Sequence, residues 1–99
     1  MRIEYDEPLK EYMRRKRLSV IAVEVVTSNS DIEITELYVH LIRDSQAEYF
    51  KTKKRFRAVQ GELGEVLLPP YRLEYDDTLR FSLKKVWFFT SVRQEGIRL

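Results

Sequence analysis

The sequence predicts an all-β fold, an antiparallel β-sandwich carrying one short N-terminal helix. Three observations predict it. After residue 17 the apolar residues recur with the period of a strand rather than that of a helix. Six or seven such stretches follow one another with turn signals at short intervals, which indicates a sandwich or small barrel rather than a parallel sheet. The 99 residues, 43% hydrophobic and 12% aromatic, are enough for one modest core and so for one domain spanning 1–99. The alternative is an α+β domain in which a single antiparallel sheet is covered by the helix.

The helix is expected over residues 6–16. Asp6 can cap it, Pro8 suits its first turn, and Glu7 and Glu11 sit near its positive end. Arg14, Arg15 and Lys16 fall at the negative end. Leu9, Tyr12 and Met13 have the spacing of one apolar face. An irregular first strand is the rival reading.

The β region is expected over residues 18–95. Leu18 to Val26 is rich in Val and Ile and apolar on both faces, as a central strand is. Thr27 to Asp31 is a polar turn. Ile32 to Ile42 is the next strand, with Leu37, Val39 and Leu41 on one face and Glu36, Tyr38 and His40 on the other. Asp44-Ser45-Gln46 turns the chain, and Ala47 to Val59 reads as a long, solvated strand or strand pair. Gly61 and Gly64 bracket a turn before a short strand, Glu65 to Leu68, which Pro69-Pro70 ends. Asp76-Asp77 makes another turn. Thr78 to Leu83 alternates, with Leu79, Phe81 and Leu83 inward. Val86 to Val92 is an aromatic-rich strand in which Trp87 and Phe89 point to one side and Phe88 to the other.

Charge is dense and nearly balanced, with 18 basic and 16 acidic residues, so the small basic excess says little about a polyanionic partner. The chain has no cysteine, which leaves no disulfide and no thiolate to bind zinc or attack a substrate. The first residues lack the apolar segment of a signal peptide, and no run approaches the ~20 apolar residues of a membrane span. A cytoplasmic location is expected, in the host cell if the protein is viral. Many Glu, Lys and Arg beside few Asn and Gln is the compositional habit of hyperthermophile proteins, and implies thermostability.

Catalytic signals are sparse. His40 is the one histidine and shares a strand face with Tyr38 and Glu36, but no serine stands in a nucleophile-elbow context. The acidic group Glu74, Asp76 and Asp77 lacks the regular ligand spacing of a calcium loop. Gly61 to Gly64 has no following lysine and does not read as a phosphate loop. The expectation is therefore no enzyme, no metal, no cofactor and no small-molecule substrate.

Binding signals are clearer. From Lys51 to Arg57 five of seven residues are basic, namely Lys51, Lys53, Lys54, Arg55 and Arg57. Tyr49, Phe50 and Phe56 flank or interrupt them. Cations beside rings suit single-stranded nucleic acid, and a basic row equally protects an exposed strand edge. Arg14, Arg15, Lys16 and Arg17 form a second basic group, which would extend the first if the two met in space. The run Trp87-Phe88-Phe89 implies either a strand buried on both faces or a hydrophobic patch for a partner.

Three stretches carry a resemblance: Ile32 to Leu41, Leu68 to Tyr75 followed by Leu79 to Leu83, and Lys85-Val86-Trp87-Phe88-Phe89-Thr90-Ser91-Val92. In order and spacing they resemble half of an arrestin-like domain, in particular the sporulation-control protein family. That family has an alternating Ile-rich strand, a Pro-Gly-Glu turn, a Phe-Ser-Phe strand and a Lys-Val-Trp strand. Here Pro69-Pro70-Tyr71 lacks the turn glycine, and Leu83 runs directly into Lys84-Lys85. The resemblance implies an immunoglobulin-like sandwich that recruits other proteins. In composition alone, the chain also resembles small orphan proteins of viruses that infect hyperthermophilic archaea. The function expected is a non-enzymatic protein–protein interaction or scaffold module, with a protein partner or homodimerisation. The alternative is nucleic-acid binding.

Overall fold

The computed structural model describes residues 1–29 and 33–99. In chain order the elements are β1 (Arg2–Tyr5), α1 (Glu7–Lys16), β2 (Val20–Asn29), β3 (Glu33–Ile42), α2 (Asp44–Thr52), β4 (Arg57–Gln60), β5 (Glu65–Leu68), β6 (Glu74–Val86) and β7 (Phe89–Arg98). The described residues form a β-rich fold with two sheets and two helices. Sheet one has the order β1-β6-β7 and sheet two the order β3-β2-β5-β4.

The first helix forms as its sequence predicts. The Asp6 carboxylate accepts from the Leu9 N–H at 2.9 Å, proline occupies the first turn, and Leu9 and Met13 are fully buried. Arg17 closes it in the left-handed conformation, φ 57°, and the Leu18 N–H returns to the Met13 carbonyl at 2.8 Å. The same Asp6 carboxylate accepts from the Leu83 N–H at 3.3 Å, and the Asp6 N–H donates to the Phe81 carbonyl at 3.0 Å. One residue thus caps α1 and fastens it to β6.

Two strand pairs depart from the antiparallel sandwich expected. β1 lies parallel to β6, Arg2 beside Thr78 through Tyr5 beside Phe81, and β2 lies parallel to β5, with Ile21 beside Val66. The other pairs, β2–β3, β4–β5 and β6–β7, are antiparallel. Both parallel pairs are joined through a helix in the chain, as parallel strands require a crossover.

A second helix stands where the sequence reading placed a turn and a strand. Residues 44–52 are helical, and the strand expected over Ala47 to Val59 shrinks to β4. The Gln46 side chain accepts from the Arg43 N–H at 3.0 Å, and the Ser19 hydroxyl donates to Asp44 at 2.6 Å. Ala47 is buried against Val20, Ala22, Ile42 and Leu67, with Phe50 and Phe56 packed around them. These two rings meet edge to face at 5.2 Å. Burial of this apolar face outweighs the β preference of Tyr49 and Phe50.

Two further boundaries move. Thr27 to Asn29 continue β2 rather than turn, while Ser30, Asp31 and Ile32 lie outside the described residues. Asp76 and Asp77 do not break the chain but sit within β6, where its register on β7 shifts between Tyr75 and Arg80.

The main core lies between the sheets. Ile21, Val23, Val66 and Leu68 of sheet two face Tyr5, Leu79, Phe81 and Ile97 of sheet one, with Leu9 and Met13 of α1 beside them. The opposite face of sheet two packs on α2. The middle of β2 and β5 is therefore covered on both sides. The β4–β5 turn closes tightly on the chain after α1: a Cβ on Gly64 would lie 2.1 Å from the Ser19 carbonyl oxygen.

Candidate functional site

The aromatic strand expected over 86–92 is interrupted by a hairpin turn at Trp87 and Phe88, with Val86 ending β6 and Phe89 to Val92 beginning β7. β6 and β7 pair from Arg80–Glu95 out to Val86–Phe89, which leaves Trp87 and Phe88 as a two-residue loop. Trp87 has φ 57° and Phe88 a negative φ. A positive φ at the first loop position alone is the pattern of a type II′ turn, where glycine is the usual residue. Nothing in Lys84 to Ser91 is Gly, Asn, Asp or Pro. The turn is imposed by the pairing of the strands it joins, and not by local turn chemistry.

Cross-strand partners share a face, so the ribbon's sides can be read from the register. Phe81, Leu83 and Val92 take the inner face, and Phe81 is buried while Leu83 and Val92 are partly so. Lys85 and Thr90 continue that face beyond the core. The outer face carries Ser82 with Arg93, Lys84 with Ser91, and then Val86 with Phe89. From Lys84 to Ser91 every residue is exposed. At the tip Trp87 is 91% exposed, Phe88 95% and Phe89 77%.

Charge is arranged around these rings. No Asp or Glu occurs between Thr78 and Gln94. Arg80 bonds Glu4 at 2.9 Å, but Lys84, Lys85 and Arg93 take part in none of the ion pairs among the described residues. A shallow groove beside β6 is lined by Lys85 and Leu83 together with Pro8, Glu11, Tyr12 and Arg15 of α1. The Arg15 guanidinium stacks over the Tyr12 ring at 5.7 Å. The site therefore has an apolar tip with cations two or more residues behind it, on both faces of the ribbon.

The basic run 51–57 is dispersed. Lys51, in the last turn of α2, bonds Glu65 at 2.8 Å, and this carboxylate raises its pKa. Lys54 reaches Glu24 at 3.5 Å and sits 4.9 Å above the Phe50 ring. Lys53 caps the helix, Arg55 turns the chain with φ 58°, and Arg57, on β4, lies over the Tyr75 ring at 5.6 Å. Only Arg57 is on a strand, so no single strand face presents the row of cations expected. Tyr49, Lys53 and Arg55 are exposed. Arg14, Arg15 and Arg17 belong to α1 and its cap. The two helices pack on opposite faces of sheet two. Of all these residues, Arg15 alone lines the groove that Lys85 lines.

Other candidates resolve into structural roles. His40 lies on the exposed face of edge strand β3, stacked on Tyr38, with Glu24 at 4.0 Å. Glu74 and Asp76 both hold Arg98, at 3.4 and 2.8 Å. Among the described residues no group of three or more His, Cys, Asp or Glu is placed to hold a metal ion. The Tyr5 hydroxyl is buried without a hydrogen-bond partner among the described residues, packed so closely that a Cβ on Gly61 would lie 2.2 Å from it. Burial raises its pKa.

The sequence singled out the three aromatics but not the lysines before them. The signal lay in two alternating stretches, Leu79 to Leu83 and Val92 to Ile97, centred on Trp87-Phe88. No helix among the described residues is long and apolar enough to cross a membrane. Comparison with known proteins found no matching family model, no matching curated protein and no matching solved structure.

Proposed function

We propose that the protein is a non-catalytic interaction module and that the β6–β7 hairpin tip is its binding element. The observation that carries this reading is the exposure of Trp87, Phe88 and Phe89 together. Contiguous apolar surface on a small protein marks a contact site. The backbone supports the same reading. A tryptophan at positive φ costs about 1–2 kcal/mol that glycine would avoid, and strain of this kind is retained where a side chain is needed. A β-rich body with a binding loop at its end is also the design of the immunoglobulin-like sandwich expected from the sequence, and the scaffold role implied by the arrestin-like resemblance agrees with it.

The test is site-specific photocrosslinking in cells that make the protein. A crosslinking residue at position 88 should give adducts. The same residue at Tyr71, exposed on the far side near Lys54, should give few. Equal labelling at both positions would remove the tip from the binding role.

A second reading, nucleic-acid binding, is supported by the exposed Tyr49, Lys53 and Arg55 at the end of α2. Fluorescence anisotropy with single-stranded DNA and RNA at low and near-physiological salt tests it. Binding through several phosphates must weaken steeply with salt, and charge reversal at Lys53 and Arg55 should abolish it.

A further inference from the structure

We infer that the surface entered by the hairpin tip is an anionic lipid interface. This inference rests on the reading of the tip as the binding element and names what it binds.

Shape argues first. The tip is convex, and three aromatic side chains offer roughly 500–700 Å². A standard protein–protein interface needs about 800 Å² from each partner, drawn from a broad surface. A bilayer interface imposes no such requirement, because it closes around whatever enters it. The order of residue types along the ribbon fits such an interface. Phe88 and Phe89 are apolar throughout, and Trp favours the level where headgroups meet acyl chains. Thr90 and Ser91 follow, level with Lys85 and Lys84 across the ribbon, and Arg93 comes behind them. From Trp87 back to Lys84 is three residues, about 10 Å at ~3.3 Å per residue. Interfacial segments bury their apolar side by about 5–10 Å. With the rings at that depth, Lys84 on the outer face and Lys85 on the inner face would stand at the headgroups, with Arg93, paired with Ser82, about 7 Å behind Lys84. Arg15 lines the groove beside Lys85 and can add to them.

Charge selects among occupants. Lys84, Lys85 and Arg93 are exposed and no carboxylate is interleaved with them along the hairpin. Glu11, across the groove, is the one acidic residue that lines it. A second copy docked tip to tip by a two-fold axis would set its cations against those of the first, which is unfavourable. An anionic surface meets the same cations favourably.

Trp87 is the chain's single tryptophan, so its emission reports the tip alone. The experiment titrates the full chain with vesicles of phosphatidylcholine, and with the same vesicles containing phosphatidylserine. The expected result is a blue shift with the anionic vesicles only, diminished by salt. Lys84→Glu with Lys85→Glu should lower the apparent partition by roughly 30-fold or more, since each juxtamembrane lysine contributes about fivefold. Phe88→Ser should weaken it in salt and out. Near-UV circular dichroism and a thermal melt confirm that both variants are folded. Glycerophosphoserine, the headgroup without its chains, should neither shift the emission nor compete.

An equal shift with neutral vesicles, or a shift reproduced by the soluble headgroup, would overturn the inference. So would silence with both vesicles. If crosslinks at position 88 persist in that last case, the tip binds a protein and the module reading stands. If they are absent too, both readings fail together.

Discussion

Four consecutive apolar residues occur twice in this chain, as Val20-Ile21-Ala22-Val23 and as Val86-Trp87-Phe88-Phe89. The first run is fully buried, its alternate side chains divided between the core shared by the two sheets and the layer under α2. The second stands in solvent at the end of a ribbon. By composition the second is the more hydrophobic in bulk, yet it contributes nothing to the core. What separates them is position within the pairing. β2 lies in the interior of its sheet with a layer on each face, whereas 86–89 occupies the point where β6 must reverse into β7, beyond the last residue that either sheet covers. Apolar character makes burial favourable, but only neighbouring layers make it available.

Substitutions can break or sharpen this contrast. The largest effect is expected inside sheet two. Leu67→Ala, which empties space between β5 and α2, should cost about 2–5 kcal/mol, read as a lower midpoint in urea. Asp6→Ala removes the cap of α1 and the tie to the Leu83 N–H together. It should cost about 1–2 kcal/mol, and should shift the near-UV signal of Trp87 little if the tip is independent of the body. At the tip the sign reverses: Trp87→Gly should raise stability by about 0.5–1 kcal/mol, because glycine accepts the positive φ. A loss of stability there would mean that the indole belongs to the fold, and the contrast would collapse. The smallest effect is expected at Tyr5. Tyr5→Phe deletes a buried hydroxyl that has no partner, and should leave stability unchanged or raise it by less than about 1 kcal/mol. It also carries a pH signature. The folded state holds the phenolic proton more tightly than the unfolded chain, in which tyrosine titrates near 10.0. Stability is therefore retained below that pH and falls as pH rises through it toward the folded value. Tyr5→Phe should make that alkaline decline shallower in thermal melts followed across the range.

The parts of the fold that local chemistry determines were legible. Asp6, Pro8 and the Leu9–Met13 spacing define α1, the alternation at Leu79 and Phe81 defines the inner face of β6, and Pro69 marks the end of β5. The parts decided by distant neighbours were not. α2 carries two aromatics and runs from Lys51 into a basic stretch, which together read as strand. Its helical character shows only in Ala47 and Phe50 at i, i+3 and in a glutamine able to reach back to the preceding N–H. The hairpin turn has no residue that announces it. Parallel pairing of β1 with β6 leaves no local trace, since each strand alternates as an antiparallel one would. The candidate site was half legible: the aromatic run was visible as a possible patch, but its presentation on a turn, with Lys84 and Lys85 behind it, follows from a register that only the paired strands define. The basic run 51–57 was visible as composition and misplaced as geometry, because it leaves the end of α2 at Lys51, turns at Arg55 and enters β4 at Arg57, and Glu65 and Glu24 take two of its cations.

The pairing of β1 with β6 bears on the order in which the molecule assembles. Every strand of sheet two, with α2, lies within residues 20–68, and the β6–β7 ribbon closes on its own two-residue loop. Glu4 meets Arg80 across 76 positions of chain. Of the strand pairs, β1–β6 closes the longest loop and so costs the most entropy, and contacts of long range slow folding. A chain emerging from the ribosome can build sheet two while β1 still waits for the strand it joins. Docking of β1 is then the late step, whereas Leu9 and Met13 of α1, which also pack beside Ile21, Val23, Val66 and Leu68, can settle on sheet two before it.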